Sequence, residues 1–210
     1  MKVLLINGSP NVNGSTDRAL NEIAATLEEC GIKAEKFWIG KEPIMGCTSC
    51  RGCKKLGKCV IQDRVNEFVE LSRGFDGFIF GSPVYYAGAN GALVSFMDRA
   101  FYSGRISGND SFAFKPAAAV ASARRAGTTP TLDQLNRFFA ISSMPIITST
   151  YWNEVHGNSP EEVEEDGEGL KTMRNLARNM AWFLKLKECG EKIGITPPEL
   201  EKRPYTNFIR

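Results

Sequence analysis

The chain has 210 residues, enough for one domain with an elaborated loop or tail, and its 42% hydrophobic and 24% charged residues are ordinary for a soluble globular protein. Lys plus Arg outnumber Asp plus Glu by only 26 to 24, so no electrostatic footprint for nucleic acid or an anionic membrane is present. No run of about 18 apolar residues offers a membrane span, and Met1–Asn7 is too short in apolar residues for a secretory signal, so a cytoplasmic protein with reduced thiols is expected.

In chain order, Val3-Leu4-Leu5-Ile6 reads as a buried strand, and Leu20, Ile23, Ala24 and Leu27 recur at helical spacing until Gly31. Lys33 to Ile39 reads as a second strand, and Val65, Phe68, Val69 and Ser72 mark one face of a second helix. Phe78-Ile79-Phe80 is a third strand, followed by a helix carrying Leu93, Phe96, Met97 and Ala100. Ala117 to Ala121 is a fourth strand despite its alanines. A helix through Leu132, Leu135, Phe138 and Phe139 then leads to a fifth strand at Pro145-Ile146-Ile147-Thr148. The acidic run Glu161 to Glu168 is expected to be a solvated loop before a last helix through Leu170, Met173, Ala177, Met180 and Leu184. Five alternations of strand and helix define an α/β domain with a parallel sheet covered on both faces, here 1–190, with a tail over 191–210. In such a sheet ligands bind beyond the carboxyl ends of the strands, which singles out the loops after strands one, three and four.

The first of these loops is Gly8-Ser9-Pro10-Asn11-Val12-Asn13-Gly14-Ser15-Thr16. Small hydroxyl residues and free N–H groups opening a helix form a neutral phosphate cradle. The glycine spacing is neither that of a dinucleotide fingerprint nor that of a triphosphate loop. The second, Gly81-Ser82-Pro83-Val84-Tyr85-Tyr86-Ala87-Gly88, shapes its backbone with proline and glycine and offers two flat phenol faces, a combination suited to an aromatic ring system. The third, Ser122-Ala123-Arg124-Arg125-Ala126-Gly127, carries two cations. Either arginine can stabilise an anionic ring or receive a phosphate. Tyr151-Trp152 and the lone histidine, His156, follow strand five; the ring of His156 can hold and release a proton near neutral pH.

Gly8-Ser9-Pro10 with Asn13-Gly14-Ser15-Thr16, Gly81 to Tyr86, and Phe96-Met97-Asp98-Arg99 together resemble the NADPH-dependent FMN reductase group of the flavodoxin-like superfamily over roughly residues 2 to 185. The resemblance implies a flavodoxin-like sandwich with a five-stranded parallel sheet in the order 2-1-3-4-5. It implies FMN held non-covalently, with Ser9, Asn13, Gly14, Ser15 and Thr16 at the phosphate. Pro83, Val84, Tyr85, Tyr86, Ser122, Arg124, Arg125 and Gly127 would lie along the ring, with Tyr85, Tyr86 and Arg124 nearest the reacting atoms. It also implies NAD(P)H as co-substrate, a small acceptor such as a quinone, flavin, azo or nitro compound, and a homodimer or homotetramer.

Cys47-x2-Cys50-x2-Cys53-x5-Cys59, inside a cysteine-rich loop over 46–60, places four thiols where they can wrap a 4Fe–4S cube, with zinc as an alternative. The spacing departs from the bacterial ferredoxin run, whose third gap is three residues. The stretch Cys47 to Asp63 resembles the compact motif of iron–sulfur flavoproteins, a subgroup of the same family, which implies electron transfer with a ferredoxin as partner. Similar loops also occur in family members that are plain flavin reductases. Cys30 and Cys189 read as ordinary buried helical thiols.

Overall fold

In the computed structural model, which describes residues 1–108 and 111–201, the first strand β1 (Lys2–Asn7) lies in the interior of a parallel sheet. Its apolar residues alternate between two cores. Leu4 and Ile6 face one side and Val3 and Leu5 the other, as the period of two in a strand requires. β1 pairs with β2 (Lys33–Trp38) on one side and β3 (Gly77–Tyr85) on the other. β3 pairs in turn with β5 (Ala117–Ala123), and β5 with β6 (Glu154–His156). The order β2-β1-β3-β5-β6 is the expected one, and a sixth strand, β4 (Gly88–Ala89), adds a short hairpin to the end of β3.

Helices α3 (Arg64–Leu71), α4 (Gly91–Ile106) and α5 (Thr128–Ile141) contribute to one core. Helices α1 (Ser15–Glu29), α6 (Pro160–Glu165) and α7 (Gly167–Lys192) contribute to the other. The first core is crowded with phenylalanines: Phe68 meets Phe37, Phe78, Phe80, Phe96 and Phe112. Ala117, Ala119 and Ala121 share that face. Large rings opposite a small-residue strand fill the layer without voids, which explains the alanines that make β5 a poor strand by propensity.

Three expectations are corrected. The fifth strand is split: Ile146 makes a single bridge to Ala117, and regular pairing resumes only at Glu154 opposite Ala121. Between them the chain is drawn outward by α7, where Asn179 donates to the Thr148 carbonyl (2.7 Å), Asn175 to the Thr150 hydroxyl (3.0 Å), and Thr172 accepts from Ser149 (2.7 Å). The acidic run is not a loop. Ser159 caps α6, Val163 is buried beneath it, and Asp166 caps α7 by accepting from the Gly169 N–H at 2.9 Å. Acidic side chains suit both first turns. Cys30 is only half-buried and Cys189 is exposed, since the apolar stripe of α7 ends at Leu184. Helix α7 runs through the expected boundary at 190 to Lys192, and residues 202–210 of the expected tail lie outside the described residues. No helix among the described residues is long and apolar enough to cross a membrane.

Candidate functional site

The loops after β1, β3 and β5 converge on one crevice of about 610 Å³ beyond the carboxyl edge of the sheet, with the turn after β6 on its rim. Asn7, the buried last residue of β1, shapes the first loop. Its side-chain Oδ1 accepts from the Ser9 N–H (2.9 Å), and its Nδ2 donates to the Val12 carbonyl and to Asp17, both at 3.2 Å. From β2, the Trp38 indole donates to the Ser9 carbonyl at 2.8 Å. Ser9 in turn accepts from Asn11 at 3.1 Å.

Helix α1 opens into the crevice at Gly14, which provides no side-chain cap. Helices α3, α4, α6 and α7 are each capped by their own Asp63, Asn90, Ser159 and Asp166, while α5, like α1, opens at a glycine without a side-chain cap. The first turn of α1 therefore presents N–H groups and a positive dipole end that no side chain among the described residues caps, the arrangement that receives an anion. Its one acidic residue, Asp17, is buried and paired to Lys36 Nζ at 2.9 and 3.1 Å, so its charge is neutralised. Thr16 and Ser122, both buried, share a 2.7 Å hydroxyl contact that ties α1 to the end of β5. Thr16→Val is expected to leave the Ser122 hydroxyl unpartnered, at a cost of about 1–3 kcal/mol; chemical denaturation of the purified variant checks the value.

Ser9, Asn13, Gly14, Ser15, Thr16, Pro83, Val84, Tyr85, Ser122 and Arg124 all line the crevice. Tyr86, Arg125 and Gly127 do not. Tyr86 sits with Ala87 at the tip of the β3–β4 hairpin, both at positive φ (51° and 57°), and its ring is fully exposed. Such a two-residue turn matches strand twist but normally takes Asn-Gly. The hairpin is held from below, where Gln134 accepts from the Ala89 N–H at 2.9 Å and Gly127 packs against Val84 and Ala87. Arg125 faces solvent, and its carbonyl lies 3.1 Å from His156 Nε2. The ring of His156 therefore braces the β5 loop. Tyr151 and Trp152 line a separate cavity of about 500 Å³ beside α5.

The cysteine loop lies against α4. Cys47, Cys50, Cys53 and Cys59 all line one small cavity together with Arg99. Cys53 is buried at the start of the short helix α2 (Cys53–Leu56), Cys59 is half-buried, and Cys47 and Cys50 are exposed. Ser49 and Arg51 take positive φ (54° and 56°), strain of about 1–3 kcal/mol each that positions Cys50 between them. Gly52 lies so close to Val60 Cγ1 that the two limbs of the loop touch, and a Cβ there would collide. Asn66 fixes the return limb, accepting from the Cys59 N–H (3.0 Å) and donating to the carbonyls of Cys59 (2.9 Å) and Ile61 (3.0 Å).

Among the described residues, no three His, Cys, Asp or Glu side chains converge on a single metal-ion position. A cubane is held at its corners, so its thiolates stand farther apart than the ligands of one ion. Four thiols around one cavity fit that donor set in number and kind. Burial pushes the Cys53 thiol up, with Cys59 and Cys50 nearby adding to the shift, while the Gly52 backbone and the Thr48 hydroxyl hold the Cys50 thiol below its ordinary value. In metal-free protein near pH 8, Cys50 is therefore expected to be alkylated faster than Cys53; peptide-resolved mass spectrometry reads the order directly.

Sequence reasoning missed Trp38, Asn66 and the pairing of Arg99 with Asp63. A tryptophan ending an edge strand and an asparagine seven residues past the last cysteine carry no chemical signature until the fold brings them to the loops.

A sheet ordered in this way, with an uncapped helix at its carboxyl edge, defines the flavodoxin-like class, and the chain belongs to the NADPH-dependent FMN reductase family, matched over residues 1–159. It is 35% identical over 191 residues to an iron–sulfur flavoprotein of Methanocaldococcus jannaschii, covering 89% of this chain and 98% of that one. The fold is also that of a flavone reductase (TM-score 0.66, 20% identity, 90% of this chain and 64% of that one). An NADH:FMN oxidoreductase shares it as well (TM-score 0.62, 16% identity, 87% and 89%).

Proposed function

We propose that this FMN reductase family member holds FMN in the three-loop crevice and a 4Fe–4S cluster on Cys47, Cys50, Cys53 and Cys59, and that it passes electrons to a small acceptor. The observation that carries the reading is the pairing of an uncapped α1 N-terminus with a cavity lined by four thiols. FMN and a cluster supply hydride and single-electron chemistry that no side chain of this chain can perform.

The protein's own part is positioning and electrostatics. The N–H groups opening α1, with Ser9 and Ser15, hold the phosphate in a cradle that carries no cation of its own. The Thr16–Ser122 contact fixes that cradle to β5. Val84 and Tyr85 border the ring side of the crevice, and the exposed Arg124 places positive charge at its mouth. His156 keeps the Arg124–Arg125 turn in place through the Arg125 carbonyl. Exposed rings at Tyr85, Tyr86, Tyr151 and Trp152 give a second copy apolar surface to cover, which supports a homodimer or homotetramer.

A second reading, a plain NAD(P)H-dependent flavin reductase with an idle thiol loop, is favoured by Arg124, a cation suited to a nicotinamide nucleotide's phosphate. Flavin and iron content of anaerobically purified protein separates the two. About four irons and one FMN per chain, with slow NAD(P)H oxidation and electron uptake from a reduced ferredoxin, is the expected result. Flavin without iron and with rapid NAD(P)H oxidation selects the reductase. Protein lacking FMN refutes both.

A further inference from the structure

Arg99, on the inner face of α4, is the largest fully buried side chain among the described residues. Its fork meets the Asp63 carboxylate at 2.5 and 2.9 Å, Nη2 also donates to the Ile61 carbonyl (3.0 Å), and Nη1 reaches the Met45 carbonyl (3.4 Å). Those contacts join the two ends of the cysteine loop. The remaining donor, Nε, points at Cys59 Sγ at 3.4 Å. Among the described residues no other cationic side chain donates to one of the four sulfurs.

A guanidinium stays charged even when buried. Asp63, its one carboxylate partner, has 29% of its side chain exposed. Water therefore screens the acid better than the base, and a residual positive field remains at Cys59. We infer that Arg99 is a positioning residue that sets the reduction potential of the four-cysteine cluster, through its charge and its N–H donor on the Cys59 sulfur. The inference rests on the cluster reading above. Reduction adds one electron and one negative charge to the cluster, with no bond made or broken. A hydrogen bond and a nearby cation at a thiolate favour the more negative state.

The test uses anaerobically purified full-length protein, with the cluster followed by electron paramagnetic resonance during a redox-dye titration. Arg99→Gln keeps a donor for the carbonyls but removes the charge. Its equilibrium constant for reduction is expected to fall tenfold, a potential about 59 mV lower for a one-electron couple. Asp63→Asn preserves the cap of α3, since Asn caps as well as Asp, and leaves Arg99 uncompensated, so its constant is expected to rise. Arg99→Lys keeps the charge without the fork and stays within threefold of wild type while iron retention falls. The flavin potential serves as the internal reference and is unchanged in all three.

A residue that merely staples the loop would lower iron retention in every variant without moving the potential in opposite directions. Where Arg99→Gln does not fold, the sign of the Asp63→Asn shift decides. Loaded variants whose constants all stay within threefold of wild type overturn the inference alone. Iron-free wild-type protein overturns the cluster reading along with it.

Discussion

Gly8→Val is expected to yield protein that no longer co-purifies with flavin. A Cβ at this position would stand 2.6 Å from Leu93 Cδ2 and 2.8 Å from the Gly81 carbonyl oxygen. Leu93 can rotate away; the Gly81 oxygen cannot, because it belongs to β3 and accepts the Gly8 N–H at 2.9 Å. Valine therefore forces β1 and β3 apart where the phosphate loop departs. Overpacking of this kind costs about 1–3 kcal/mol, and the displaced loop loses its alignment with the first turn of α1. The flavin-to-protein ratio after gel filtration should fall at least tenfold, accompanied by a lower unfolding midpoint. A yellow variant with the parent's melting curve would show that the strand junction does not position the binding loop.

Arg99→Met is expected to be the most destabilising conservative-volume change in the cysteine loop. It strands the Asp63 carboxylate and frees both ends of the loop at once. Removing one member of a buried pair costs about 3–5 kcal/mol. The partial exposure of Asp63 lets water re-enter and places this case near the lower end. For a chain of this size each kcal/mol moves the unfolding temperature by about 2–4 °C, so thermal denaturation of the iron-free protein should show a drop of about 6–12 °C. Asp63→Asn, which retains the helix cap, should lose less. Equal melting temperatures for Arg99→Met and wild type would refute this account of the loop's anchorage.

Where chemistry depends on backbone, the sequence is informative. Short strands followed by small-residue loops point to the carboxyl edge of a parallel sheet, and ten of the expected crevice residues line it. Tyr86 lies off the crevice because adjacent residues in a hairpin face opposite ways: Tyr85 turns toward the crevice, and the left-handed turn throws Tyr86 outward. The fifth strand was read from an apolar run at 145–148, yet its pairing is decided by Asn175 and Asn179 on a helix some thirty residues later. Composition likewise hid α6, since a charge-rich segment becomes helical when Ser159, Val163 and Asp166 supply cap, anchor and stop. Arg99 stood in a motif that pointed to flavin, while its contacts point to sulfur. Long-range partners of this kind leave no local periodicity to detect.

The interrupted fifth strand has a consequence for how these molecules meet one another. With regular pairing along that margin confined to Glu154–His156, a lone bridge at Ile146, and the residues between them pulled off toward α7, the open border offers an incoming chain too few free amides in a row to nucleate a continuous intermolecular ribbon. At the opposite border β2 interposes Lys33 and Lys36. Neither border of the sheet is thereby suited to the addition of further strands.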